Sequence, residues 1–227
     1  MTTRKVSLAI ACESPLLERG LRDMLAEIRE FSLVGSARDA ACALEMLRAD
    51  HPDVLLIDAT LMSRLSRLVT RADPRPRILV LSYRAHAGTD LPCGRGCACA
   101  FAQPKVSEQH LRTLLRTLAA CDERTSGSSR CANCPAQDSL RPPPLPLSAR
   151  EQEIFLRIGH GESNRIIAAA LGVSVKTIET HRENIKRKLG LASAHALVEA
   201  AVRWRCGDIE LGDAERSMRS RPRAAMR

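Results

Sequence analysis

A chain of 227 residues has room for one domain of ordinary size and one small one, and its 35 Lys and Arg against 26 Asp and Glu leave a formal charge of +9. That balance favours a polyanionic partner, although the excess is divided: residues 1–144 carry 20 basic and 16 acidic side chains, residues 145–227 carry 15 and 10. The opening apolar run VSLAIA is far too short for a secretion signal or a membrane span, which sets a membrane protein aside and makes a cytoplasmic one the expectation.

Residues 1–120 alternate short apolar runs with helical patterns. The runs are VSLAIA (6–11), FSLVGSA (31–37), VLLID (54–58), RILVLS (77–82) and CACAFA (97–102). Amphipathic stretches lie around 15–29, 38–49, 61–71 and 106–120, with a poorly formed one near 84–92. Aromatics are 2 %, so the cores must come from Leu, Ile, Val and Ala. Five strands alternating with helices predict a doubly wound α/β unit, a five-stranded parallel sheet covered on both faces. In such sheets the functional crevice lies at the carboxyl ends of the strands, here Cys12 and Glu13, Asp58, Ser82, and Pro104 with Lys105.

Residues 121–146, CDERTSGSSRCANCPAQDSLRPPPLP, lack helical or strand period and read as a linker, with Arg141–Pro146 an extended polyproline spacer. Residues 147–207 read as four helices. Ser148 with Glu151 forms a capping box, and Gly159 and Gly161 end the helix that follows it. A second helix opens at Ser163 and stops at Gly172, and Ser174 caps a third two residues later, the spacing of a helix-turn-helix. On that third helix Ile178, Ile185 and Leu189 make one stripe. Opposite stand Lys176, Thr180, Glu183 and Arg187, flanked by Glu179 on one shoulder and Thr177, His181, Asn184 and Lys188 on the other. A polar, basic helix face of this kind suits a DNA major groove; the plainer alternative is a solvated amphipathic helix. A fourth helix, Ser193 to Trp204, bears an apolar stripe that serves either a dimer contact or packing within its own domain. From 208 to 227 the chain reads as a basic tail.

The helical region resembles the DNA-binding domain of LuxR/NarL-type regulators. The matching residues are Leu147, Ser148, Arg150, Glu151, Glu153, Ile154, Gly161, Ser163, Asn164, Ile167, Ala168, Leu171, Ser174, Thr177, Ile178, His181, Asn184, Ile185, Lys188 and Leu189, with Arg165 where the family usually has Lys. The resemblance implies binding to double-stranded promoter DNA as a homodimer. Glu179, Thr180 and Glu183 would then be base-facing, with Lys176, Thr177, His181 and Lys188 as phosphate or scaffold positions and Arg187 on the same outer face.

HPDVLLID (51–58) and the strand-end residues resemble a response-regulator receiver domain, which implies Asp58 as phosphoacceptor candidate, Ser82 as switch residue, a sensor histidine kinase as partner and Mg²⁺ in the pocket. Two departures stand out. Cys12 replaces one of two adjacent acids and puts a soft thiol where Mg²⁺ wants oxygen, and Lys105 is displaced by one residue from the expected lysine, with Pro104 in its place. Both disfavour an acyl phosphate, so the receiver reads as degenerate.

Of nine cysteines, Cys93, Cys97 and Cys99 crowd the fifth strand, and Cys121, Cys131 and Cys134 lie in or beside the linker. Cys121, Cys131 and Cys134 are redox or metal candidates, including an iron–sulfur cluster; the alternative is that these thiols are small core residues or incidental. There is no Gly-rich phosphate loop and no nucleophile–base pair, so no enzyme is expected. The leading reading is a transcriptional regulator. The alternative is a protein-interaction or redox-sensing module that docks on a partner regulator or kinase.

Overall fold

All five apolar runs contribute strands, and the central three, rich in Val, Leu and Ile, are buried on both faces. The computed structural model describes residues 5–69, 74–87, 98–121, 134–209 and 211, which divide into two units between Arg141 and Pro142. In the first unit β1 (Val6–Ala11), β2 (Phe31–Ala37), β3 (Val54–Asp58), β4 (Arg77–Leu81) and β5 (Ala100–Ala102) form a parallel sheet in the order β2-β1-β3-β4-β5. One face is covered by α1 (Pro15–Ala26) and α4 (Glu108–Ala119), through Leu21, Leu25, Leu111 and Leu115. The other is covered by α2 (Ala40–Asp50) and α3 (Ala59–Val69), through Ala43, Leu47, Leu61 and Leu65. The expected doubly wound sheet is present, although β5 starts three residues later than the sequence suggests. Residues 82–87 are not helical, and most of the weak pattern near 84–92 lies outside the described residues.

Edge strand β2 carries one extra residue. Leu8 pairs with Leu33 and Ala9 with Gly35, which leaves Val34 as a bulge, 39 % exposed. The amino ends of the central strands are tied by a buried network. Asp53 accepts from the Ser7 amide and hydroxyl, and Arg77 donates through Nε to the Asp53 carbonyl at 3.0 Å. The same guanidinium, through Nη1, meets the carbonyls of Leu118, Ala119 and Cys121 at 2.9, 3.0 and 2.8 Å. A cation placed there satisfies orphan carbonyls at the end of α4 and complements its dipole.

The outer edge of β5 is covered by the chain itself. Residues 135–140, expected to be linker, form a 3-10 helix, Pro135–Leu140. Phe101 donates its amide to Ser139 Oγ at 2.9 Å, and Gln137 Nε2 donates to the carbonyls of Ala98 and Cys99 at 3.2 and 3.4 Å. Ala136 is 1 % exposed in the α1–α4 core, while Leu140 packs against the α2–α3 core. This strap therefore closes the sheet edge from one face to the other. The linker expectation is corrected for these residues; a six-residue 3-10 turn leaves no periodicity to read.

The second unit holds α5 (Ala149–Gly159), α6 (Asn164–Leu171), α7 (Val175–Leu189) and α8 (Ala194–Cys206). Its core is Ile154, Phe155, Ile158, Ile167, Ile178, Ile185, Leu189, Leu197 and Trp204. The caps expected at Ser148 with Glu151 and at Ser174 are present, the first as a full capping box, and Ser163 and Ser193, read as helix starts, are N-caps too. Gly172 and Gly190 end their helices in the left-handed conformation at φ 65° that favours glycine. At Gly159 a Cβ would stand 2.8 Å from the Ala201 carbonyl, so only glycine lets α5 and α8 approach this closely. The apolar stripe of α8 is spent on this core, with Leu197, Ala200, Ala201 and Trp204 buried in it and Trp204 edge-on to Phe155 at 6.0 Å. Ile209 and Leu211, at the start of the expected tail, also pack against the core, and residues 212–227 lie outside the described set. No helix among the described residues is long and apolar enough to cross a membrane.

Candidate nucleic-acid interface and strand-end pocket

The presentation of α7 follows from its stripe. Ile178, Ile185 and Leu189 are buried, which turns Lys176, Thr177, Glu179, Thr180, Glu183 and Arg187 to the exposed side, with His181 and Asn184 half-buried at its margin. Several of these side chains already have local partners. Thr177 Oγ1 lies 2.8 Å from Ser174 Oγ within the N-cap, and Thr180 donates to the Lys176 carbonyl at 3.1 Å. Glu183 pairs with Lys186 at 2.9 Å, and Arg187 donates to Asn184 at 3.0 Å. Lys176 and Glu179 are exposed and engage no partner among the described residues.

Lys188 differs from the rest. Its Nζ lies 2.6 Å from Glu151 Oε2, and Glu151 also accepts from the Ser148 amide at 2.8 Å. The Lys188 ammonium first, then the Ser148 amide, holds the buried Glu151 carboxyl down to about 2. The neighbouring Arg150 donates to the Leu171 carbonyl, the last residue of α6, at 2.9 Å. Two successive residues of α5 thus grip the ends of both helices of the helix-turn-helix. Sequence reasoning grouped Lys188 with the phosphate or scaffold positions; its pairing with Glu151, 37 positions away, ties it to α5. Arg182 was not singled out at all. It lies on the core stripe between Ile178 and Ile185, half-buried, and burial pulls its pKa down.

The strand-end pocket in the first unit brings together Cys12, Glu13, Asp58 and Ser82. Asp58 accepts from the Glu13 amide and from the Leu61 amide, both at 2.7 Å, the second contact making it the N-cap of α3. Glu13 faces Arg64 at 3.1 Å. Cys12 is 1 % exposed; burial pushes its thiol up, and the Asp58 charge pushes the same way against an opposing backbone hydrogen bond at Ser14. Ser82 is buried and accepts from the Arg84 amide at 3.3 Å. Lys105 is exposed in the turn beyond β5 and does not join this group. The residue that follows β5 directly is Gln103, whose Nε2 donates to the Arg84 carbonyl. An uncharged amide therefore ends the strand, and Pro104, at the position where a lysine was expected, supplies no cation either.

These residues do not fit the Mg²⁺ that a receiver implies. The thiol is a neutral, soft donor, both Asp58 oxygens serve backbone amides, and Glu13 has a guanidinium beside it. Among the described residues no group of three or more His, Cys, Asp or Glu side chains is placed to hold a metal. Of the cysteine candidates, Cys131 lies outside the described residues, as do Cys93 and Cys97. Cys121 is half-buried after α4. Cys134, expected in an exposed linker, is half-buried too and packs with Cys99 against the α1–α4 core.

The chain thus joins a doubly wound sheet unit to a four-helix unit that contains a helix-turn-helix. Residues 145–201 match the family described as bacterial regulatory proteins, luxR family. Over 211 residues the chain is 29 % identical to the transcriptional regulatory protein MctR of Rhizobium johnstonii, covering 89 % of this chain and 96 % of that protein. It is also 29 % identical to the probable transcriptional regulatory protein NarL of Mycobacterium tuberculosis, covering 90 % and 97 %. A solved structure of two RcsB dimers bound to two parallel DNAs shares the fold, at 21 % identity and a TM-score of 0.50 over 86 % of this chain and 97 % of that one. The match to the luxR family is thus confined to residues 145–201, while the likeness to these transcriptional regulators runs over most of the chain.

Proposed function

We propose that this protein is a sequence-specific transcriptional regulator that binds promoter DNA as a homodimer in the cytoplasm, through the exposed face of α7, with a receiver that accepts phosphate from a kinase or phosphodonor poorly. The observation that carries the reading is the placement of Lys176, Thr177, Glu179, Thr180, His181, Glu183 and Arg187 on or beside the one face of α7 not spent on the core. Glu179, Thr180 and Glu183 are the base readers. A carboxylate accepts from cytosine N4 and repels phosphate, so these positions favour cytosine-containing half-sites. Lys176, Thr177, His181 and Arg187 are the phosphate contacts, and Lys188 supports the helix from behind through Glu151.

Selection of bound sequences from a random DNA pool, followed by gel retardation at several salt concentrations, tests this. Thr180→Ala and Glu183→Ala are expected to change base preference, each by about 1–3 kcal/mol at the affected base pair. If both variants keep the affinity and the preferred sequence of the native protein, α7 is not the reading helix.

A further inference from the structure

The strap over β5 ends at the threshold of the second unit. Leu140 is its last anchored residue, packed on the α2–α3 core, and Leu145 is the first residue in the core of the helical unit. Only Arg141–Pro144, one Arg and three Pro, separate them. At about 3.1 Å per residue in polyproline, the two anchors stand no more than about 16 Å apart while the strap is seated. Were the strap to leave, the last described anchor would be Cys134, packed on the α1–α4 core, and ten residues, 135–144, would separate it from Leu145. That chain could span about 35–40 Å when fully extended.

What holds the strap is modest and local. It is seated by three hydrogen bonds between side chain and backbone, one from the Phe101 amide to Ser139 Oγ and two from Gln137 Nε2 to the carbonyls of Ala98 and Cys99, by one fully buried methyl at Ala136, and by one half-buried leucine. Its seat is the strand that leads into the pocket, since Ala102 pairs with Leu81 and its carbonyl accepts from the Ser82 amide.

We propose that Pro135–Leu140 is a detachable clasp that meters the reach of the DNA-binding unit: seated on β5 it holds the tether to four residues, and released it lengthens the tether to ten. The consequence for operator choice rests on the DNA-binding, dimeric reading given above. With short tethers, two helical units reach only half-sites at one separation. With long tethers they reach several, at lower effective concentration.

The test uses the full chain and two variants. Ser139→Ala/Gln137→Ala/Leu140→Ser unseats the clasp. A flexible Gly/Ser insertion of about 20 residues between Arg141 and Pro142 lengthens the tether and leaves the clasp seated. Amide exchange at Phe101 is expected to be slow in the native protein and in the insertion variant, and at least about tenfold faster in the triple variant. Small-angle scattering should give a larger radius of gyration for both variants. On paired half-sites with spacing changed by five base pairs, about half a helical turn, native affinity should fall about tenfold or more and that of both variants by under about threefold. A fast-exchanging Phe101 amide in the native protein overturns the clasp, as does an unchanged radius in a triple variant whose exchange shows release. Equal spacing tolerance in all three proteins overturns its role on DNA. Absence of DNA binding by every protein, with exchange and scattering as expected, leaves the clasp standing and overturns the regulator reading.

Discussion

Lys188 in the last turn of α7 and Glu151 in the first turn of α5 meet at 2.6 Å, the carboxylate 6 % and the ammonium-bearing side chain 38 % exposed. The carboxylate also completes the capping box of α5. One pair therefore joins the helix that presents the DNA-facing residues to the helix that opens the domain. Removing the cation would leave a buried carboxylate facing only Ser148.

Lys188→Ala should accordingly lower the stability of the helical unit by about 1–3 kcal/mol, read by urea unfolding through the fluorescence of Trp204, the only tryptophan. Its salt dependence of DNA binding should match the native protein. Lys176→Ala should do the reverse, keeping stability and reducing the slope of log affinity against log salt by about one. A Lys188 variant with native stability and a reduced slope would make this lysine a phosphate contact after all.

Acid should weaken both units through two buried carboxyls. Glu151 in the helical unit and Glu18 in the sheet unit are each held down to about 2 from an ordinary 4.5, Glu18 chiefly by Arg38, then Arg22 and Ser36. A carboxyl depressed on folding stabilises fully above its unfolded value, and that contribution is lost as pH falls from about 4.5 towards 2. Urea unfolding of Glu151→Gln, followed at Trp204, should show a shallower loss of stability across pH 5 to 3 than the native protein. Superimposable pH profiles would mean that Glu151 is not charged in the folded chain.

Arg77→Ala should be the most damaging single change in the sheet unit, by about 3–5 kcal/mol in urea unfolding followed by circular dichroism. It removes the donor from the carbonyls of Asp53, Leu118, Ala119 and Cys121. Arg77→Lys keeps the charge but not the fork, and should recover less than half of the loss. Native stability in Arg77→Ala would show that water replaces the guanidinium there.

Acetyl phosphate with Mg²⁺ should label the protein far below one phosphate per chain, and Asp58→Asn should leave DNA affinity within about twofold, because Cys12 and Pro104 supply neither the acid nor the cation that an acyl phosphate needs. Labelling near stoichiometry that disappears in Asp58→Asn would restore a working receiver.

Much of this was legible because the signals are local. Ser148 and Glu151, Ser163, Ser174 and Ser193 cap at fixed spacing, and Ile178, Ile185 and Leu189 repeat at helical period, so the helical unit could be drawn almost residue by residue. The β-strands announced themselves as buried apolar runs. What stayed hidden depends on partners distant in the chain. Nothing near Arg77 says that its guanidinium closes the end of α4, and nothing in PAQDSL says that it lies along β5. Lys188 looked like one more outward cation on a basic helix, and nothing near Gln103 says that its amide reaches the Arg84 carbonyl.

The seat of Pro135–Leu140 on β5 also bears on how the protein can be dissected. A fragment cut after residue 120, where the apolar and helical pattern ends, keeps all five strands but discards the cover of the last one, together with the Cys121 carbonyl that Arg77 holds. Its bare β5 edge would offer unpaired backbone groups to any other extended chain, including another copy of the fragment. A cut after Arg141 keeps the edge sealed, so insolubility of the shorter piece would reflect where the chain was severed, not a weakness of the sheet.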